Sequence, residues 1–231
     1  MRHIGIIMAA GSGKRMGGSV PKQFLKLNKK PLLYYSLKCM EDSFIDGIVI
    51  VTRDCDITLC EFIVKKYGIT KPVKVVAGGA ERYLSVYEGL NIIAEDDDIF
   101  VYIHDAARPF INKEMLERAR EDVLKYSASV VAVKSKDTVK IAGEDASVDH
   151  TPPRNTVYIA QTPQSFRLEL IKEAYDKLFE HIKAGEKLEI TDDAQVCELF
   201  GGVPVHITEG EYTNIKITTK EDLEIAKRFI K

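Results

Sequence analysis

Ile4-Gly5-Ile6-Ile7-Met8-Ala9-Ala10-Gly11-Ser12-Gly13-Lys14-Arg15-Met16-Gly17-Gly18 carries the chain's first apolar run and then breaks it with a loop of small and basic residues. Ile4–Met8 is near-continuously apolar, the pattern of a strand covered by helices on both faces. In an open α/β sheet, ligands sit beyond the carboxyl ends of strands, where the first loop delivers backbone N–H groups. Small residues let that backbone approach phosphates, and Lys14, Arg15 and Lys22, which follows Pro21, bring three cations to one short segment. The combination describes a polyphosphate cradle. It is not a P-loop, because Met8 stands where the first glycine belongs and Arg15 where the hydroxyl belongs. Nor is it the dinucleotide fingerprint, since Met16 occupies the sixth position and Gly17 comes one residue late.

Working outward, short β-branched runs recur at Ile48–Val51, Val73–Val76, Ile99–Ile103, Val130–Val133, Val203–Ile207 and Ile215–Ile217. Helical stripes lie between most of them: Val86, Leu90 and Ile93; Leu116, Ala119 and Val123; Leu223, Ala226 and Ile230, the last behind a Thr219-x-x-Asp222 capping box. This alternation predicts an α/β fold, a Rossmann-like, doubly wound, mostly parallel sheet, in a single domain over residues 1–231. One stretch departs from it. Over 135–161 the segments Thr138-Val139-Lys140-Ile141 and Thr156-Val157-Tyr158-Ile159 flank a turn and a Thr151-Pro152-Pro153 kink, which predicts a protruding antiparallel β-arm. An isolated hairpin is marginal in water, so the arm is expected to pack on a second copy of the chain.

Composition narrows the function. The 231 residues hold 33 Lys+Arg against 35 Asp+Glu and are 45% hydrophobic, which excludes a disordered chain and gives no bulk positive charge for nucleic acid. No apolar run reaches the ~18 residues of a membrane span, and no export signal precedes the first strand, so a cytoplasmic location is expected. Cys39, Cys55, Cys60 and Cys197 form no CxxC pair, and the five histidines show no metal-ligand spacing. Reduced, mostly buried thiols and no structural metal are expected.

A second group of residues extends the cleft. Asp105 ends the Ile99–Ile103 strand within His104-Asp105-Ala106-Ala107-Arg108-Pro109, where one carboxylate can hold Mg²⁺ together with phosphate oxygens, or a substrate hydroxyl. His104 reads as a residue that orients this turn. Gly78-Gly79-Ala80-Glu81-Arg82-x-x-Ser85-Val86 is a second glycine turn entering a helix. Gln161-Thr162-Pro163-Gln164, Thr191-Asp192-Asp193-Ala194 and Asn214-Ile215-Lys216 each pass singly as a cap or turn.

Taken as an ordered set, these seven motifs resemble the 2-C-methyl-D-erythritol 4-phosphate cytidylyltransferases of the non-mevalonate isoprenoid pathway, from the first strand to the last helix. The ribitol-5-phosphate cytidylyltransferases share most of them, and the Asp-Ala-Ala-Arg and Thr-Asp-Asp-Ala forms are closer to the methylerythritol branch. The resemblance implies cytidylyl transfer from CTP to a polyol phosphate with release of pyrophosphate, with Mg²⁺ or another divalent cation as cofactor, in a homodimer. It assigns Arg15 and Lys22 to the charge on the α-phosphate and leaving group, and Arg154 and Lys216 to aiming the attacking phosphate. It places Ala9, Ala10, Gly11, Gly13, Gly79, Arg82, Ser85 and Ala106 around the nucleotide. It gives Asp105, Arg108, Thr138 and Thr191 to the sugar phosphate, with Asp105 also the metal contact, and sends Arg154 on the arm to the partner's site. Lys134-Ser135-Lys136 and Pro152-Pro153 depart from the family pattern along the arm's path. A kinase is disfavoured by the missing P-loop hydroxyl, and a fused downstream domain is not expected. A CTP-binding sensor without catalysis is the alternative of another class.

Overall fold

In the computed structural model, residues 1–11, 20–94 and 98–230 are described. Strand β1 (Arg2–Ala9) leads through a small hairpin, β2 (Lys26–Leu27) and β3 (Lys30–Pro31), into helix α1 (Leu32–Glu41). Then come β4 (Gly47–Thr52), α2 (Ile57–Lys66), β5 (Val73–Ala77), α3 (Arg82–Asn91), β6 (Ile99–Asp105), α4 (Lys113–Tyr126) and β7 (Ala128–Lys134). A short pair, β8 (Ile141–Ala142) and β9 (Val148–His150), precedes β10 (Tyr158–Arg167), α5 (Leu168–Lys183), α6 (Asp193–Phe200), β11 (His206–Glu209) and α7 (Lys220–Phe229).

The main sheet runs β11-β7-β10-β6-β1-β4-β5, and β10 alone is antiparallel to its neighbours among these strands. Alternate residues of each central strand serve opposite faces. Ile4, Ile6, Val49, Val51, Val101 and Ile103 pack against α3, α5 and α6, while Ile7, Ile48, Ile50, Phe100 and Tyr102 pack against α1, α2 and α4. Both faces are thus covered, which is why the strands read as unbroken apolar runs. Gly89 lets α3 settle onto the sheet: a Cβ there would stand 2.7 Å from Val51 Cγ2. The capping box at Thr219 is present, its hydroxyl accepting from the Asp222 N–H.

The chain progresses from β1 to β4 to β5 and then returns to place β6 on the other side of β1. That reversal opens a crevice at the carboxyl ends, where ligands bind in doubly wound sheets. Register brings Ala9, Thr52, Ala77 and Asp105 to this one edge.

Three expectations are corrected. Ile215–Ile217 is not a strand: the segment is an extended strap whose Ile217 is buried beside Leu27, Leu32 and Ala226 and donates its N–H to the Ala107 carbonyl at 2.8 Å. The expected strand at Val203–Ile207 begins only at His206, because Pro204 has no N–H to donate. In the arm, the antiparallel partner of Ile141–Ala142 is Val148–His150, while Tyr158 and Ile159 already pair with Lys134 and Val133 in the main sheet. The hairpin is therefore shorter than the 135–161 segment that contains it. Ile141 and Val148 are exposed on it. Cys60 and Cys197 are buried, Cys39 is half-buried and Cys55 is exposed, all as free thiols. Among the described residues no helix is long and apolar enough to cross a membrane.

Candidate active site

A cavity of about 520 Å³ lies over the carboxyl ends of β1, β4, β5 and β6. Its wall takes Ala10 and Gly11 from the first loop, Lys22 and Gln23 from the turn after Pro21, Gly79, Arg82 and Ser85 from the second glycine turn, Asp105 and Ala107 from the end of β6, and Lys216 from the strap. Arg53 and Glu81 complete its charged lining. Four cations therefore face two carboxylates among the described residues, a balance suited to an anionic ligand.

Asp105 is the centre of this charge. Burial alone would raise its pKa, but Lys216, Arg82 and Arg108 outweigh that and hold the carboxyl well below the usual carboxylate range. Lys216 Nζ lies 2.7 Å from Asp105 Oδ2, and Arg108 Nε lies 4.0 Å from the same oxygen. Lys22 is brought in by the short turn Lys22–Phe24, and its stem runs beside Gly11. Gln23 anchors that turn by donating Nε2 to the Ala9 carbonyl.

The second glycine turn is pinned from behind. Both Nη atoms of Arg82 donate to the carboxylate of Asp193 at 2.7 Å, and Tyr175 Oη donates to Asp193 Oδ1 at 2.7 Å. Asp193 is fully buried, and its backbone N–H donates to Gln164 Oε1. Ser85 Oγ donates back to the Glu81 carbonyl at 3.0 Å, and a Cβ at Gly78 would meet that oxygen at 2.6 Å. The turn needs glycine for this approach.

The cavity wall does not include the other described site residues. Arg15, Lys14 and Gly13 lie outside the described residues. Ala9 and Ala106, expected around the nucleotide, are buried in the core, and Ala107 lines the cavity instead. Arg108, expected on the sugar phosphate, donates from its guanidinium to the carbonyls of Asn214 (2.8 Å) and Ala160 (3.3 Å). Thr191 is exposed at the start of α6, its hydroxyl donating to Gln195 Oε1. Thr138 and Arg154 are exposed on the arm and meet each other, Arg154 Nη2 donating to Thr138 Oγ1 at 2.8 Å. His104 orients the turn as expected, with Nε2 3.1 Å from the Arg108 carbonyl and Nδ1 2.9 Å from Thr162 Oγ1.

Sequence reasoning missed Arg53, Glu81 and the Asp193–Tyr175 support. Asp193 hides behind a cap signal that its neighbour fulfils: Asp192 Oδ1 accepts the Gln195 N–H at 2.9 Å. The periodic apolar reading of α5 could have flagged Tyr175 only as core. Arg53, just past β4, carries no local signal.

Comparison with known proteins agrees with this geometry. A family model described as IspD, 2-C-methyl-D-erythritol 4-phosphate cytidylyltransferase, matches residues 3–231. A relative of that name from Lachnoclostridium phytofermentans is 46% identical over 227 residues, covering 98% of this chain and 95% of its own length. Among solved structures, a 4-diphosphocytidyl-2C-methyl-D-erythritol synthase from Anaerococcus prevotii superposes with a TM-score of 0.85 at 36% identity, over 99% of this chain and 96% of the other. A cytidylyltransferase from Francisella tularensis does so with a TM-score of 0.79 at 32% identity, over 99% of both chains.

Proposed function

This chain belongs to the 2-C-methyl-D-erythritol 4-phosphate cytidylyltransferase family, and on that premise we propose how its cleft performs cytidylyl transfer from CTP to 2-C-methyl-D-erythritol 4-phosphate. The enzyme is a nucleotidyltransferase. An oxygen of the sugar's 4-phosphate forms a bond to the α-phosphorus of CTP, the α–β bridging bond breaks, and pyrophosphate leaves with that electron pair. The attacking phosphate is already ionised, so no protein nucleophile or base is required. Catalysis is positioning plus stabilisation of charge by preorganised cations.

The observation that carries this reading is Lys22 and Lys216 facing one cavity with Asp105 and both glycine turns. Lys22, with Arg15, stabilises the charge developing on the α-phosphate and the departing pyrophosphate. Lys216 draws in the attacking phosphate. Ala10, Gly11, Gly79 and Ser85 seat the nucleotide, and the bidentate Arg82–Asp193 pair keeps their turn in place. Arg108, oriented by two carbonyls, helps hold the sugar phosphate. Thr191, just ahead of α6, is given to the sugar phosphate.

Asp105 suits a divalent cation: it is ionised and lines the cavity. Mg²⁺ is content with one carboxylate plus phosphate oxygens and would neutralise triphosphate charge there. The arm, with Ile141, Val148 and Ile159 exposed, packs on a second copy in the cytoplasmic homodimer, and Arg154 and Thr138 act in the partner's cleft.

A coupled pyrophosphate-release assay tests the reading. With CTP and Mg²⁺, turnover is expected on methylerythritol 4-phosphate and not on ribitol 5-phosphate. Preference for ribitol phosphate, or CTP binding without pyrophosphate release, would overturn it.

A further inference from the structure

Three backbone segments meet beneath the Lys216–Asp105 pair: the turn after β6, the irregular part of β10 and the strap. Thr162 sits where they join. It is buried and lies in the part of β10 where the register with β7 shifts, between Ala160 and Gln164. Its Oγ1 accepts the Asp105 N–H at 3.1 Å and lies 2.9 Å from His104 Nδ1. The direction of that second bond is forced. His104 Nε2 faces the Arg108 carbonyl, which can only accept, so Nε2 carries the proton of a neutral ring and Nδ1 accepts from the Thr162 hydroxyl. The Thr162 carbonyl accepts from Asn214 Nδ2 at 2.9 Å. Asn214 is itself fully buried, and its own carbonyl accepts from Arg108. Two residues on, Lys216 leaves the strap, which is tied again at Ile217 to the Ala107 carbonyl.

We propose that Thr162 is a positioning residue for this ion pair. Its hydroxyl fixes the backbone from which Asp105 projects, and its carbonyl fixes, through Asn214, the strap from which Lys216 projects. Because β10 is the strand by which the arm re-enters the sheet, Thr162 also ties the arm's root to the spacing of the two charges. This inference rests on the acceptor role given to Lys216 above.

The test compares Thr162→Val, nearly isosteric but without the hydroxyl, with Thr162→Ser, which restores it, and Asn214→Ala, which breaks the bond to the Thr162 carbonyl, together with a longer one to Gln161 Oε1, and leaves the hydroxyl side intact. One such bond corresponds to about a tenfold effect. Asn214→Ala is expected to raise KM for methylerythritol phosphate about tenfold and leave KM for CTP within about twofold, while Thr162→Val, which also frees the Asp105 side, is expected to raise KM for methylerythritol phosphate about tenfold and KM for CTP by less. Thr162→Ser is expected to stay within about threefold of the parent for both substrates. A folded Thr162→Val with parental constants, a Thr162→Ser as impaired as the valine variant, or an equal rise in both KM values overturns the proposal. Should the valine variant not fold, Asn214→Ala decides by the same split.

Spectra of ¹⁵N-labelled histidine separate this from failure of the assigned reaction. Whatever the parent turns over, His104 is expected to be protonated on Nε2, with an Nδ1 resonance displaced in Thr162→Val and unmoved in Thr162→Ser. A proton on Nδ1 in the parent overturns the geometry. Correct spectra with no turnover of CTP and methylerythritol phosphate would sink the assigned reaction alone.

Discussion

Replacing Asp193 with Ala tests whether the second glycine turn is held by charge. The carboxylate is fully buried and takes three bonds, two from Arg82 and one from Tyr175, each 2.7 Å long. Removing it strands a guanidinium and a phenol. Breaking a buried ion pair from one side costs about 3–5 kcal/mol. The Arg82 side chain keeps 31% exposure at the cavity, so water recovers part of its solvation and the lower end, about 3 kcal/mol, applies. For a chain of this size that is a fall in Tm of about 6–12 °C. Calorimetry on the unliganded protein reads it directly. KM for CTP should rise at least about fivefold, because the bonds lost are those that hold the nucleotide turn. The double variant Arg82→Met/Asp193→Leu separates the two effects. With both charges gone no unpaired ion remains, so most of the lost Tm should return while CTP stays poorly bound. A single variant within about 2 °C of the parent with unchanged KM for CTP would refute the reasoning.

Other outcomes follow from the same geometry. Lys22→Ala should lower kcat about a hundredfold or more if its ammonium is a preorganised charge stabiliser, measured by pyrophosphate release under saturating CTP. Lys216→Ala should chiefly raise KM for the sugar phosphate; an unchanged KM and kcat would contradict its role. Burial pushes the His104 pKa down from 6.5 to about 4, so the unfolded chain binds this proton first on acidification. The stability His104 supplies is thus complete above pH 6.5 and drains away as pH falls towards about 4, about 3 kcal/mol in all. Urea unfolding between about pH 7 and about pH 4.5 should show this slope, flattened in His104→Gln. Asp at both Ile141 and Val148 should halve the sedimenting mass at micromolar concentration and abolish turnover if the arm completes the partner's cleft.

What the sequence reveals is uneven, for physical reasons. β1, β4, β5, β6 and β7 are legible because helices cover both faces and leave apolar runs. β10 is not, because Gln161, Thr162 and Gln164 are polar yet buried, satisfying neighbouring segments instead of facing water. Ile215–Ile217 misleads in the opposite sense: Ile217 packs the strap against Leu27, Leu32 and Ala226 of α7, and the segment pairs with no strand. In the cleft, Lys22, Gly79, Ser85, Asp105 and Lys216 line one cavity, and the sequence marks them only as an ordered set, because most of their motifs pass singly as turns or caps. Which way a guanidinium points is invisible at that level. Arg108 reads as a substrate contact, and the two carbonyls its guanidinium grips carry no sequence signal, while Arg53 reads as nothing and lines the cavity.

The reversal of β10 has a topological corollary. The segment between β7 and β10 leaves and rejoins the sheet at hydrogen-bonded neighbours, with the Ser135 N–H on the Val157 carbonyl and Lys134 opposite Tyr158. An excursion with its two ends clasped in this way can be lengthened, trimmed or exchanged for another without rethreading a single strand. If the arm acts as proposed above, acceptor choice and subunit pairing are free to drift in that insert, while the strands that carry the cavity keep their frame.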